Sequence, residues 1–172
     1  MRRQTNDFWR HSLQVYRRPA VQAACLALQD RCGADVNLLL WCCWLGQRGR
    51  ALDQRELRRA MAAAAPWQEG VLRPLRQARR AVRSASLALP SARTEALRQR
   101  LLAIELDAEH LEHRLLFELA QALPARVRRP PPDAATLASL TRYAALLGAG
   151  TPATASAEPL LRALADAATG AV

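Results

Sequence analysis

Between residues 105 and 113 the chain gathers Glu105, Asp107, Glu109, His110, Glu112 and His113, the side-chain types that ligate metals. On a helix, His110 and His113 stand one turn apart and Glu109 lies four residues before His113, so these three would converge on one ion. One helix rarely completes a site. Carboxylate-bridged di-iron bundles take a Glu-x-x-His from each of two helices and a Glu from each of two more, and no second such motif is present. The plainer reading is a solvated helix face with intrahelical ion pairs, and no metal or cofactor is expected.

A second group, Gln29, Asp30, Asp35 and Asn37, crowds the junction of two apolar segments that also carry Cys25 and Cys32. With the thiols it would line a small polar pocket. As structure, Asp35 caps a helix, Asn37 serves the orphan amides of its first turn, and Gln29 and Asp30 fix the junction. No pairing of nucleophile and base is evident, so no catalytic residue is assigned. Cys25, Cys32, Cys42 and Cys43 have neither Cys-x-x-Cys spacing nor a disulfide framework and read as reduced core thiols.

The third group is a row of arginines. At the helical pitch Arg73, Arg76, Arg79, Arg80 and Arg83 fall within an arc of roughly 120° beside an apolar face of Leu72, Leu75, Ala78 and Val82. If the next segment folds back, Arg93, Arg98 and Arg100 join them at the tip, where Glu95 is the one acid. On this reading few of these arginines meet counter-ions within the chain, and unpaired arginines attract phosphates or acidic protein surfaces. The tip lacks an aromatic to stack a base, and a merely solvated face is the alternative.

The elements that position these groups are helical. Thr5, Asn6 or Asp7 caps a first helix to about Arg17 with Phe8, Trp9, Leu13 and Tyr16 on one face; Pro19 opens a second, which stacks Val21, Cys25, Leu28 and Cys32 and ends at Gly33. Val36 to about Gln47 is apolar all round, the mark of a central helix, and Gly46 and Gly49 then release the chain. Asp53 caps a fourth helix, and Pro66 stops it or starts a basic helix to about Leu87, with a kink expected at Pro74. From Ala92 to about Leu123, Leu97, Leu101, Ile104, Ala108, Leu111 and Leu115 follow spacings of four and three, a coiled-coil seam that packs within the chain or against a second copy. The basic and seam helices should form an antiparallel hairpin. Residues 124 to 132 read as a Pro-rich linker; Asp133 then caps a helix to about Leu147, and a mobile Gly148 to Ala157 stretch precedes a last short helix from Pro159 to Ala168. The expected organisation is therefore an all-α domain over 1–123, with apolar core helices at 5–49 and the hairpin at 66–123, and a C-terminal region over 124–172.

Composition agrees. The chain has 172 residues, enough to bury a real core, and its apolar fraction of 51% comes from Ala and Leu, with Ile104 the one isoleucine. The net charge is +10, and every basic residue is Arg. A total absence of Lys beside abundant Ala reflects coding bias, so arginine identity says little and arginine position more. The first fifty residues carry eight Arg against three acids and the next fifty eleven against four, whereas the remainder carries six against eight. The start lacks a secretory apolar stretch, and no apolar run approaches the roughly 20 residues needed to cross a bilayer, so a cytoplasmic location is expected.

The string Phe8-Trp9, Ser12-Leu13, Tyr16, Pro19, Val21, Ala24-Cys25-Leu26, Leu28-Gln29-Asp30, Gly33, Asp35-Val36-Asn37-Leu38-Leu39-Leu40 and Trp44-Leu45 resembles a family of short proteobacterial proteins of uncharacterised function. The resemblance implies a bacterial cytosolic protein with a conserved N-terminal helical region and a variable C-terminal one. It carries over no catalytic residue.

Two functions fit these residues. The first is a non-enzymatic interaction or adaptor protein whose partner binds the hairpin or a groove over the N-terminal helices. The second is a nucleic-acid-associated protein whose basic tip follows the phosphate backbone. On the sequence alone, reversing Arg76, Arg80 and Arg83 to Glu should leave helicity and melting temperature unchanged while abolishing binding at the tip, as circular dichroism and a binding assay would show.

Overall fold

In the computed structural model, which describes residues 6–85, 90–125, 129–148 and 157–170, the chain is all-α, with no strand among the described residues. The helices are α1 (Asp7–Tyr16), α2 (Pro19–Cys32), α3 (Val36–Gln47), α4 (Gln54–Trp67), α5 (Arg73–Ala85), α6 (Ser91–Gln121), α7 (Pro132–Leu147) and α8 (Glu158–Thr169). A wider π turn, Gln68–Leu72, joins α4 to α5.

Local signals set most boundaries. Asn6 caps α1, its side chain accepting from the Trp9 amide at 2.7 Å, and Gly33 closes α2 at φ 65°. Asp53 and Glu56 exchange side-chain and backbone hydrogen bonds, each 2.9 Å, as a capping box on α4. Asp133 sits in the first turn of α7 without capping it. Pro66 neither stops nor starts a helix. It lies inside α4, and the rod continues through the π turn into α5.

Helix α3 is buried from Asn37 to Gly46, with α1, α2, α6, α7 and α8 around it. Trp41 places its indole N–H on the Leu116 carbonyl of α6 at 3.0 Å, and Trp67 does the same to Ala108 at 3.0 Å, pinning α6 at two heights. The C-terminal helices belong to this core. Leu140 and Tyr143 of α7 and Leu161, Leu164 and Ala168 of α8 are buried with α3. On the far side Gln47 donates to the Ala168 carbonyl at 2.7 Å and Arg18 to Ala167 at 2.5 Å. The segment after residue 124 is thus a layer of the core rather than an appendage. The stretch expected to be mobile lies largely outside the described residues, as do residues 126–128 of the Pro-rich segment and residues 1–5.

Gly46 does not release the chain. It lies within α3 where α7 crosses most closely: a Cβ there would stand 2.1 Å from Thr136 Oγ1 and 2.6 Å from Thr136 Cα. Gly49, at φ 69°, makes the turn. Gly46→Ala should therefore destabilise the fold by about 3 kcal/mol, since backbone rather than a flexible side-chain end must move. Gly70→Ala, where a Cβ meets nothing within 4 Å, should be neutral or slightly stabilising. Paired thermal melts of the two variants check the contrast.

Candidate functional site

The antiparallel packing of α5 on α6 brings the acidic and basic rows together. Arg76 Nε reaches Glu105 Oε1 at 3.2 Å and its Nη2 reaches Glu109 Oε1 at 2.9 Å. Arg79 Nε meets Glu105 Oε2 at 2.6 Å. At the tip Arg98 pairs with Glu95 at 2.6 Å. This corrects the expectation of a row without internal counter-ions. Arg76, Arg79 and Arg98 are matched, and Arg83 also has an interaction within the chain. Arg73, Arg80, Arg93 and Arg100 are exposed and form no ion pair among the described residues. Reversing Arg76 would leave Glu105 buried against a like charge, so that position is structural and does not serve a surface test.

The acidic helix face is not solvated either. Glu105, Glu112 and His113 are buried, and their partners diverge. His113 Nδ1 donates to the Glu109 carbonyl at 2.9 Å, while its ring stacks on Phe8 at 4.5 Å and meets Trp9 edge-on at 4.8 Å. His110 lies edge-on to Trp9 at 4.5 Å. Burial drives the His113 pKa down to about 4, so the ring is neutral and packs as an aromatic. No His, Cys, Asp and Glu cluster able to hold a metal forms among the described residues.

Asp35 caps α3, its Oδ1 accepting from the Asn37 amide at 2.8 Å. Its other oxygen meets Glu112 rather than a conventional donor. Asn37 does not serve the helix amides; its Nδ2 donates to Glu112 Oε2 at 2.5 Å, and Gln68 donates to both Glu112 oxygens at 2.9 Å. Tyr143 OH accepts from the Asp35 amide at 2.9 Å. Burial, and then the charge of Asp35, push Glu112 up to about 8, and burial raises Asp35 as well. The two carboxyls therefore hold one proton between them at neutral pH. Burial likewise pushes the Cys25 thiol up to about 12, and raises Cys42 and Cys43, so none of these supplies a thiolate.

Two clefts flank this network. One, of about 330 Å³, runs between α1–α2 and α5–α6, with walls from Trp9, Leu13, Tyr16, Leu26 and Leu106. The other, of about 470 Å³, is polar and is lined by Gln29, Asp30, Asp35, Gln68, Arg73 and Gln77 among others. Gln29, Arg76 and Arg80 line both and form the ridge between them. Leu13, Leu26 and Leu106 are 44%, 43% and 46% exposed. The sequence did not mark Leu26 and Leu106 as site residues, yet a signal was present: each is apolar and lies off the stripe that buries its own helix.

A family model described as a protein of unknown function (DUF2390) matches residues 7–116, which span α1 through most of α6. No curated protein matches the chain. No solved structure matches it either.

Glu112 generates a pH test. The unfolded carboxyl loses its proton near 4.5 and the folded one near 8, so the native state binds the extra proton between those values and stability falls as pH rises through them. His11 and His113, both depressed to about 4 by burial, oppose this slope through the protons their unfolded forms bind, and that opposition fades as pH rises past 6.5. Between pH 6.5 and 8 the unfolding free energy should fall by at most roughly 1.4 kcal/mol per pH unit for this group. Glu112→Gln, which keeps the shape of the protonated form, should flatten that fall in urea titrations; parallel profiles would contradict the shared proton.

Proposed function

The chain belongs to the DUF2390 family, whose function is unknown, and on that premise we propose that it is a non-enzymatic binding module that seats an acidic, amphipathic helix of a protein partner. The observation that carries this reading is the groove between α1–α2 and α5–α6. Leu13, Leu26 and Leu106 keep much of their apolar surface in water there, and Arg80 stands unpaired on its ridge. Apolar walls of about 330 Å³ suit a few aliphatic anchors spaced along a helix, and the surrounding charge, +10 over the chain, favours an acidic flank.

A non-enzymatic role is supported by how the reactive groups are spent. The acidic residues Glu105, Glu109 and Glu112 are bound to Arg76, Arg79, Asn37 and Gln68, and the thiols of Cys25, Cys42 and Cys43 are buried. No helix among the described residues is long and apolar enough to cross a membrane, and a cytoplasmic bacterial setting belongs to the same proposal. Phosphate-backbone binding is the weaker reading, because Arg76, Arg79 and Arg98 already hold carboxylates.

Selection from a displayed library of helical peptides tests the groove. Enriched sequences should carry apolar residues at helical spacing flanked by Asp or Glu. Leu26→Asp should weaken their binding about tenfold or more, or ~1.4 kcal/mol. Retained affinity in that variant would refute the groove. A duplex DNA oligonucleotide bound with steep salt dependence, and lost on Arg73→Glu with Arg80→Glu but not on Leu26→Asp, would favour the phosphate reading instead.

A further inference from the structure

The polar cleft beside the groove has walls of opposite charge that do not close on each other. One wall is α5, where Arg73, Gln77 and Arg80 follow at spacings of four and three and so share a helix face. The other is the end of α2, which contributes Gln29 and Asp30. Arg73, Gln77, Arg80 and Asp30 are exposed, and neither their side chains nor that of Gln29 makes a hydrogen bond or ion pair among the described residues. Arginine and carboxylate within reach of each other form strong charge-assisted hydrogen bonds; here a space of about 470 Å³ stands between them.

The charges sort by wall, and that sorting selects the occupant. Arg73 and Arg80 present planar guanidinium forks that match a carboxylate. Opposite them stands the Asp30 carboxylate, and Asp35 lines the cleft as half of the carboxyl pair it forms with Glu112. Arg76 is the remaining charged group of the lining among the described residues, and Glu105 and Glu109 already hold it. A bare anion drawn to the arginines would meet the acidic wall, and a bare cation the basic one. A small molecule carrying both signs a few bonds apart satisfies both. We propose that this cleft binds a free α-amino acid, its carboxylate held by Arg73 and Arg80 and its ammonium by Asp30, with Gln29 and Gln77 placed to hydrogen-bond a polar, uncharged side chain. This site does not depend on an occupant of the helix groove.

Isothermal titration calorimetry of the full chain at neutral pH and low salt, against each of the free amino acids, is the test. At least one with a polar, uncharged side chain should bind with a Kd of about 1 mM or tighter. Its N-acetyl derivative, which keeps the carboxylate, and its decarboxylated amine should each bind at least about tenfold more weakly. Arg73→Gln with Arg80→Gln should abolish binding while circular dichroism stays unchanged, and Arg73→Gln alone provides the same reading should the pair fail to fold. Asp30→Asn should weaken the zwitterion about tenfold and narrow its advantage over the N-acetyl derivative. Arg93→Gln with Arg100→Gln removes the same charge away from the cleft and should leave binding as it was. If no amino acid binds, if the carboxylate alone binds as tightly as the zwitterion, or if the cleft arginines and the distant ones prove equally dispensable or equally needed, the proposal is overturned.

Discussion

Helix α3 has no face suited to water. From Leu38 to Leu45 every side chain is apolar, and all are buried. A helix of this kind is stable only when surrounded, because each apolar side chain left in water forfeits roughly 1.5–3 kcal/mol. The other elements are arranged to satisfy that demand: α1 and α2 on one side, α6 across the Trp41 indole, and α7 where Gly46 permits backbone to approach backbone. The long α4–α5 rod is held from α6 in turn, by the Trp67 indole and the Arg76 and Arg79 ion pairs.

Surrounding α3 also traps polar groups at its start. Asp35 is needed to cap the first turn, and enclosing the helix buries that carboxyl. The fold answers with donors and a proton rather than with a counter-ion: Asn37 and Gln68 serve Glu112, Tyr143 takes the Asp35 amide, and the two carboxyls share what charge remains. Such a network is costly unless every member is satisfied, and it ties α3, α6, α7 and the π turn to one another.

Electrostatics on the α5–α6 hairpin divides into two parts. Toward the body, arginines and glutamates neutralise each other across the helices; toward the tip and the ridge between the clefts, Arg73, Arg80, Arg93 and Arg100 remain available. The apolar surface divides likewise, into a groove with Arg80 on its ridge and an exposed stripe of Leu97, Ile104 and Leu111 on α6.

The amino-acid order alone determined what depends on neighbours along the chain. A first cap among residues 5–7, caps at Asp35 and Asp53, the stop at Gly33, the apolar α3 and the all-α class follow from groups within a few residues of each other. Tertiary structure decided the rest, because it turns on side chains distant in sequence. Whether Arg76 is free depends on the register of α6, 29 residues on at Glu105. Whether Gly46 ends a helix or admits one depends on Thr136. Asn37 forsakes its local amides because Glu112 arrives, 75 residues later, without enough donors of its own. Helical periodicity specifies which face of a segment is apolar; only packing specifies which part of that face is left in water.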